Sequence, residues 1–378
     1  MNIAVNTRLL LPNRLEGIGW FSYQTLKRIC NNHPDHNFFF IFDRPYSDEF
    51  IFSKNITPIV LHPPTRHPIL WYIWFNFLIP RTLKKIKADV FLSPDGMLSL
   101  YTKVPQVPVI HGINFMHNPR QLPFFVRNFY CRYFPKFAKI ADNIVTVSEY
   151  SRNDISEVFD IKPEKITVCY NSTNEIYTPI EYEIKLRTKQ RITGGKEYFI
   201  FIGALNPRKN IPGLLKSYEL FRQNSKFDHK LVIVGAAMHL TDEINKTLSE
   251  MRFKDDVIFL GRLPVKELHL VLASAYSLVY IPFFEGFGIP LVEAMSCDVP
   301  IISGNTTSLP EVVGDAALLC SPTDHQLVAE YMTKISEDDQ LRNNLINKGR
   351  IQKEKFSWDI SASNLWKSIE KAANKKGI

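Results

Sequence analysis

The chain has 378 residues, 45% hydrophobic and 22% charged, with a formal net charge of +8 at pH 7. That length exceeds one ordinary hydrophobic core and suits two domains, while the composition excludes a disordered or fibrous chain. Five cysteines without a Cys-x-x-Cys pair, and a start (Met-Asn-Ile-Ala-Val-Asn) without the basic and apolar regions of a signal peptide, argue against a zinc site, a disulfide framework and export.

The N-terminal half predicts β-strands near 3–6, 38–42, 58–61, 90–93, 107–110, 144–147 and 166–169, all short apolar runs separated by helical stretches. After the first of them, Gly17-Ile18-Gly19 precedes a helix predicted from Trp20 to Cys30, and such a loop can touch phosphate. The third glycine of a dinucleotide fingerprint is replaced by Ser22-Tyr23. His111 ends the fifth strand and is followed by Gly112 at a carboxyl strand end, facing the expected cleft between domains.

Residues 63 to 140 carry 11 Lys+Arg against two acids, Asp89 and Asp95, a local charge of +9. Aromatic residues are interleaved, among them Trp71, Tyr72, Trp74, Phe75, Phe77, Phe124, Phe125, Phe129, Tyr130 and Phe134. Pro80, Arg81 and Lys84 interrupt the apolar runs, which fall short of the ~20 residues that span a bilayer. Core packing and docking on an anionic inner leaflet are the two readings, the second making the protein cytoplasmic and peripheral.

Residues 171 to 196 are polar, contain Pro179 and Gly194-Gly195, and are expected to be the linker. The second half predicts strands near 198–203, 231–235, 257–260, 278–281, 299–303 and 317–319, with Pro212, Pro264 and Pro290 at helix starts. The expected architecture is two Rossmann-like, doubly wound α/β domains facing across a cleft: 1–180, 181–356, and a last amphipathic helix in 357–378 that carries Ile360, Leu365, Trp366 and Ile369.

The densest chemical signal is Phe284-Glu285-Gly286-Phe287-Gly288-Ile289-Pro290-Leu291-Val292-Glu293, which follows a strand and opens a helix. Helix starts attract phosphate, and Gly286 and Gly288 let the backbone come close. A carboxylate repels phosphate, so Glu285 and Glu293 make sense as acceptors from sugar and ribose hydroxyls. Asn206-Pro207-Arg208-Lys209-Asn210 forms a second phosphate-facing corner, where Arg208 and Lys209 can neutralise a diphosphate without metal; no Asp-x-Asp signature occurs.

These residues, with Val147 to Arg152 and Ser308-Leu309-Pro310-Glu311-Val312-Val313-Gly314-Asp315, resemble family 4 retaining glycosyltransferases of the GT-B architecture, and the Ser308 block resembles their bacterial mannosyltransferases. The resemblance implies that Glu285 contacts donor-sugar hydroxyls, Glu293 the ribose, Arg208 and Lys209 the diphosphate, and His111 the sugar near its 6-hydroxyl. It also implies a pocket completed by Gly286, Phe287 and Gly288, no cofactor beyond the nucleotide-sugar substrate, and transfer of a hexose, GDP-mannose favoured, to a glycan or lipid-diphosphate-linked acceptor in surface polysaccharide synthesis. Leaving-group diphosphate assists a same-face substitution in such enzymes, so no dedicated nucleophile is required.

Two departures stand out: Tyr170-Asn171-Ser172-Thr173 where the family often has Pro-Asn-Gly-Val, and His111-Gly112 in place of His-Asp, which removes a carboxylate. The competing readings are a UDP-hexose transferase, a sugar-nucleotide epimerase of the same architecture, and a basic scaffold or nucleic-acid binder. The last rests only on the +9 stretch, and nucleic acid is not the expected partner.

Overall fold

The computed structural model describes residues 1–12, 15–236 and 242–374, which fall into two compact units, Met1–Asn171 with Ser357–Ile378, and Ser172–Phe356. In the first unit β1 (Asn2–Asn6), β2 (Asn37–Phe42), β3 (Ile56–Val60), β4 (Val90–Ser93), β5 (Gln106–Ile110), β6 (Ile144–Thr146) and β7 (Ile166–Val168) form one sheet, ordered β3-β2-β1-β4-β5-β6-β7. In the second, β8 (Tyr198–Ile202), β9 (Lys230–Val234), β10 (Val257–Gly261), β11 (Ser277–Tyr280), β12 (Ile301–Gly304) and β13 (Ala317–Cys320) are ordered β10-β9-β8-β11-β12-β13.

Every pairing is parallel. All thirteen expected strands are present, their ends moved by no more than two residues. They were legible because strands covered on both faces read as continuous apolar runs: Tyr198–Ile202 is buried at every residue. Strand order reverses beside the first strand of each unit, between β1 and β4 and between β8 and β11, and the crevice outside the carboxyl ends at such a point is where these sheets take ligands.

Two expectations are corrected. The presumed linker contains a helix, Tyr182–Thr193, and Gly194, with φ 64°, is its left-handed terminator rather than flexible chain. Only Thr188 and Thr193 of that helix are buried, so it has no apolar stripe for periodicity to reveal. The boundary between units lies at Asn171/Ser172 instead of 180/181.

The last helix, Trp358–Asn374, belongs to the first unit. It packs on the helix Gly17–Asn32, stacking Trp366 on His33 with ring centroids 3.7 Å apart and pairing Asp359 with Arg28 at 2.8 Å. Leu365, Trp366 and Ile369 line its buried face as expected, whereas Ile360 is 54% exposed. The core of this unit includes many aromatic side chains: Trp71, Trp74, Phe75, Phe91, Phe129, Phe134 and Phe137 turn inward together.

Candidate functional site

In the second unit the residues expected to hold a donor leave the two strands that flank its reversal point. After β8 the chain makes a short 3-10 turn, Pro207–Lys209, and then places Asn210 in the left-handed region at φ 55° before the helix Ile211–Asn224. Asparagine tolerates that conformation, and here its carboxamide ties the loop down by donating to the carbonyls of Ile281 (3.1 Å) and Pro322 (2.8 Å). Gly213 makes room for it, since a Cβ at that position would lie 2.4 Å from Asn210 Oδ1.

The loop after β11 brings Glu285 to the same place. Glu285 Oε1 lies 2.8 Å from Arg208 Nη1 and 2.5 Å from Lys209 Nζ. Arg208 Nη1 also donates to the Phe284 carbonyl at 2.8 Å, and Lys209 Nζ to the Tyr280 hydroxyl at 2.5 Å while sitting 4.9 Å over its ring. Lys209 and Glu285 are 8% and 7% exposed. Burial by itself would raise the Glu285 pKa; the charges of Arg208 and Lys209 outweigh it and hold the carboxyl at about 2. Burial lowers the Lys209 pKa, against the pull of Glu285.

The cluster therefore carries two cations and one anion. The double positive charge expected to face a diphosphate is half neutralised beforehand, and a phosphate entering here competes with Glu285 for Arg208 and Lys209.

The loop that carries Glu285 is fixed from the segment after β12. Thr307 Oγ1 accepts the Glu285 N–H at 3.1 Å, and Ser308 Oγ lies 3.0 Å and 3.1 Å from the Glu285 and Phe287 carbonyl oxygens. Gly288, at φ 98°, turns the chain into the helix Ile289–Ser296; a Cβ there would meet Leu291 Cδ1 at 3.0 Å and Leu309 Cδ2 at 3.1 Å. Gly286 is partly open on this loop. The Phe287 ring is buried edge-on against Phe356 at 5.4 Å, so only its backbone can meet a ligand. Pro290 has no N–H and Leu291 N bonds to the Gly288 carbonyl at 3.0 Å, so the helix start offers an anion little more than the Ile289 N–H and the helix dipole. The helix start thus offers an anion less than the sequence suggested.

Glu293 lies just over one turn into that helix and has a different environment. Burial raises its pKa to about 7, only partly offset by a hydrogen bond from Tyr177. Tyr177 is itself buried and edge-on to His269 at 5.8 Å, and His269 Nε2 is 2.8 Å from the Thr178 carbonyl. Glu285 and Glu293 both act electrostatically on the hydroxyl of Tyr280, and Glu285 also hydrogen-bonds with it. Tyr177, Tyr280, Asn210, Thr307 and Ser308 were not read as site residues; only Asn210 and Ser308 lay within motifs already singled out.

In the first unit, the helix begins at Gly17, so Gly17 and Gly19 form its first turn rather than a preceding loop. Gly17 is exposed, and Gly19 is closely packed, because a Cβ would lie 3.0 Å from Leu15 Cδ2 and 3.1 Å from the Leu9 carbonyl. Phe21 of this helix sets its ring edge-on to His111 at 5.1 Å. His111 Nε2 donates to the Pro94 carbonyl at 2.9 Å, which leaves Nδ1 as the acceptor, and burial lowers the pKa to about 4.

The carboxylate missing after His111 has a counterpart nearby. Asp95, just after β4 at the reversal point, is ion-paired with Arg8, accepts from Ser93 Oγ and Met97 N at 3.1 Å, and acts electrostatically on His111. Arg8 continues to Thr65 Oγ1 at 3.2 Å, whose N–H donates to Asp43 at 2.8 Å. Asp95 was legible only as one of two acids in a strongly basic stretch.

Residues 183–352 match the family described as glycosyl transferases group 1, and residues 32–175 match glycosyltransferase family 4. An O-antigen chain mannosyltransferase B of Escherichia coli is 33% identical over 217 residues, 57% of this chain and 57% of that one. The chain thus aligns with little more than half of that relative. The O-antigen chain mannosyltransferase RfbU of Salmonella typhimurium is 27% identical over 72% of each chain. Among solved structures, the Anabaena protein HepE in complex with UDP and glucose superposes with a TM-score of 0.74 at 15% identity, over 97% of this chain and 99% of that one, a likeness of fold.

Proposed function

Because this chain belongs to glycosyltransferase family 4, we propose that it is a retaining, metal-independent hexosyltransferase that takes mannose from GDP-mannose and passes it to a glycan or lipid-linked acceptor in surface polysaccharide synthesis. The observation that carries this reading is the meeting of Arg208, Lys209 and Glu285 at the reversal point of the second sheet. A site with two cations, one of them buried, one ionised carboxylate and a second carboxyl whose pKa is raised to about 7 suits a ligand that combines a diphosphate with sugar and ribose hydroxyls. The mannose assignment is supported by the names of the O-antigen relatives.

In this reading Glu285 accepts from the sugar, Glu293 from the ribose, and Arg208 and Lys209 exchange part of their contact with Glu285 for the diphosphate. The loop Gly286, Phe287 and Gly288 closes the pocket with its backbone. The acceptor falls to the first unit, where neutral His111 offers Nδ1 to a sugar hydroxyl.

Calorimetric titration with GDP, UDP and their mannose and glucose conjugates tests the donor. GDP-mannose is expected to bind best, and Lys209→Ala to weaken it at least about tenfold, as loss of a charge-assisted contact does, without unfolding the protein. Tighter binding of UDP-glucose would replace the donor, and conversion of the donor with no acceptor present would favour an epimerase. Unaltered affinity in Lys209→Ala would remove the diphosphate assignment.

A further inference from the structure

The loop that carries Glu285 holds one large side chain that neither the core nor the donor assignment uses. Pro282-Phe283-Phe284 leads from β11 to Glu285, and its two phenylalanines part: Phe284 is 6% exposed and Phe283 44%. Among the described residues of the Arg208 and Glu285 loops, Phe283 alone is a large apolar side chain left exposed.

This is not the exposure of a slack loop tip, because hydrogen bonds reach the backbone at four successive residues. The Ile281 carbonyl accepts from Asn210 Nδ2 at 3.1 Å and the Pro282 carbonyl from Thr306 Oγ1 at 3.3 Å. The Phe283 N–H donates to the Arg208 carbonyl at 2.9 Å, and the Phe284 carbonyl accepts from Arg208 Nη1 at 2.8 Å. An aromatic ring kept in water on so fixed a backbone is preorganised for a ligand.

Its position indicates which part of a ligand. Phe283 follows β11 at the reversal point of the second sheet, tied by its backbone to Arg208 and two residues before Glu285. With the diphosphate on Arg208 and sugar hydroxyls on Glu285, the group between them is the sugar ring. A hexose presents C–H bonds on its faces and hydroxyls around its rim. The face of a phenyl ring is negative and suits the C–H hydrogens, while a carboxylate suits the rim. A nucleobase also stacks, but it is joined to the ribose, which falls to Glu293, just over one turn into the next helix.

We propose that the hexose of the sugar nucleotide lies on the ring of Phe283, which makes Phe283 a specificity-determining residue for the donor sugar. This role rests on the reading of Arg208, Lys209 and Glu285 as the donor site. It adds a means of discrimination: a pyranose face of C–H bonds lies flat on the ring, whereas an axial hydroxyl on that face holds it off.

The test is calorimetric titration of the native chain, Phe283→Ala, Phe283→Leu and Phe283→Tyr with GDP, GDP-mannose, UDP and UDP-glucose. The quantity read is the affinity of the sugar nucleotide divided by that of its nucleoside diphosphate, for whichever pair binds. Phe283→Ala and Phe283→Leu are expected to lower this ratio about fivefold or more, with nucleoside diphosphate affinity and thermal unfolding unchanged, and Phe283→Tyr to recover most of it. Leucine keeps apolar bulk without a ring, so a native ratio in Phe283→Leu overturns the proposal. So does an equal loss for both ligands of a pair, which would place the ring on the nucleotide. A native chain that binds none of the four ligands defeats the donor reading and this role together, whereas nucleotide binding with an unmoved ratio in Phe283→Ala defeats this role alone.

Discussion

Glu285 and Glu293 are the same residue type eight positions apart on one loop and helix, yet their pKa values move in opposite directions because only one of them has cations for neighbours. Glu285 is held at about 2 by Arg208 and Lys209 in spite of burial, whereas burial lifts Glu293 to about 7 with Tyr177 as the opposing contact. A carboxyl whose folded pKa is raised above 4.5 adds stability that is fully present below 4.5 and is lost as pH rises toward 7. Relative to Glu293→Gln, the native melting temperature is therefore expected to fall between pH 4.5 and about 7 and to level off above, which differential scanning calorimetry of both proteins reads directly. Nucleoside diphosphate affinity should run the other way, since ribose hydroxyls donate best to the ionised form: the native-to-Gln affinity ratio rises with pH through about 7, and the ligand's own ionisation cancels in that ratio. Tyr177→Phe removes the hydrogen bond that favours the ionised form and should shift this midpoint upward; an unmoved midpoint would separate Tyr177 from Glu293.

At the scale of elements, the site depends on how two loops are anchored rather than on the strands that carry them. Asn210 hangs the Arg208–Lys209 turn from Ile281 and Pro322, and Gly213 on the following helix is the space its carboxamide fills. Gly213→Ala would ordinarily help a helix by roughly 0.5–1 kcal/mol. Here overpacking costs about 1–3 kcal/mol, so the expected outcome is a lower melting temperature by a few degrees and weaker nucleotide binding as the turn shifts. An Ala variant more stable than the native chain would mean that Asn210 moves aside freely. The same scale explains what sequence reading missed: the helix Tyr182–Thr193 exposes most of its surface, and Gly17 and Gly19 looked like a loop because glycine is scarce inside helices, although here they open one.

For the whole molecule, the telling feature is that the last helix completes the first unit. Leu365, Trp366 and Ile369 are buried, and Trp366 stacks on His33. Burial of three such side chains is worth about 1.5–3 kcal/mol each, comparable to the net stability of a domain. A chain ended after Phe356 is expected to lose the transition of the first unit in calorimetry while nucleotide still stabilises the second. Two intact transitions in the shortened chain would show the helix to be dispensable.

The amino-acid sequence by itself determined the thirteen strands, their parallel α/β character and the loops that carry Arg208, Lys209, Glu285 and Glu293, because continuous apolar runs, prolines and glycines are local signals that do not depend on the rest of the chain. Tertiary structure alone decided that Glu285 pairs with both Arg208 and Lys209, that Tyr177 meets Glu293, that Asp95 lies near His111, which aromatics of the basic stretch turn outward, and which unit the last helix joins. Each of these is a contact between residues far apart in the chain, and its partner is chosen by packing and by the loss of water around charge, neither of which has a period along a sequence.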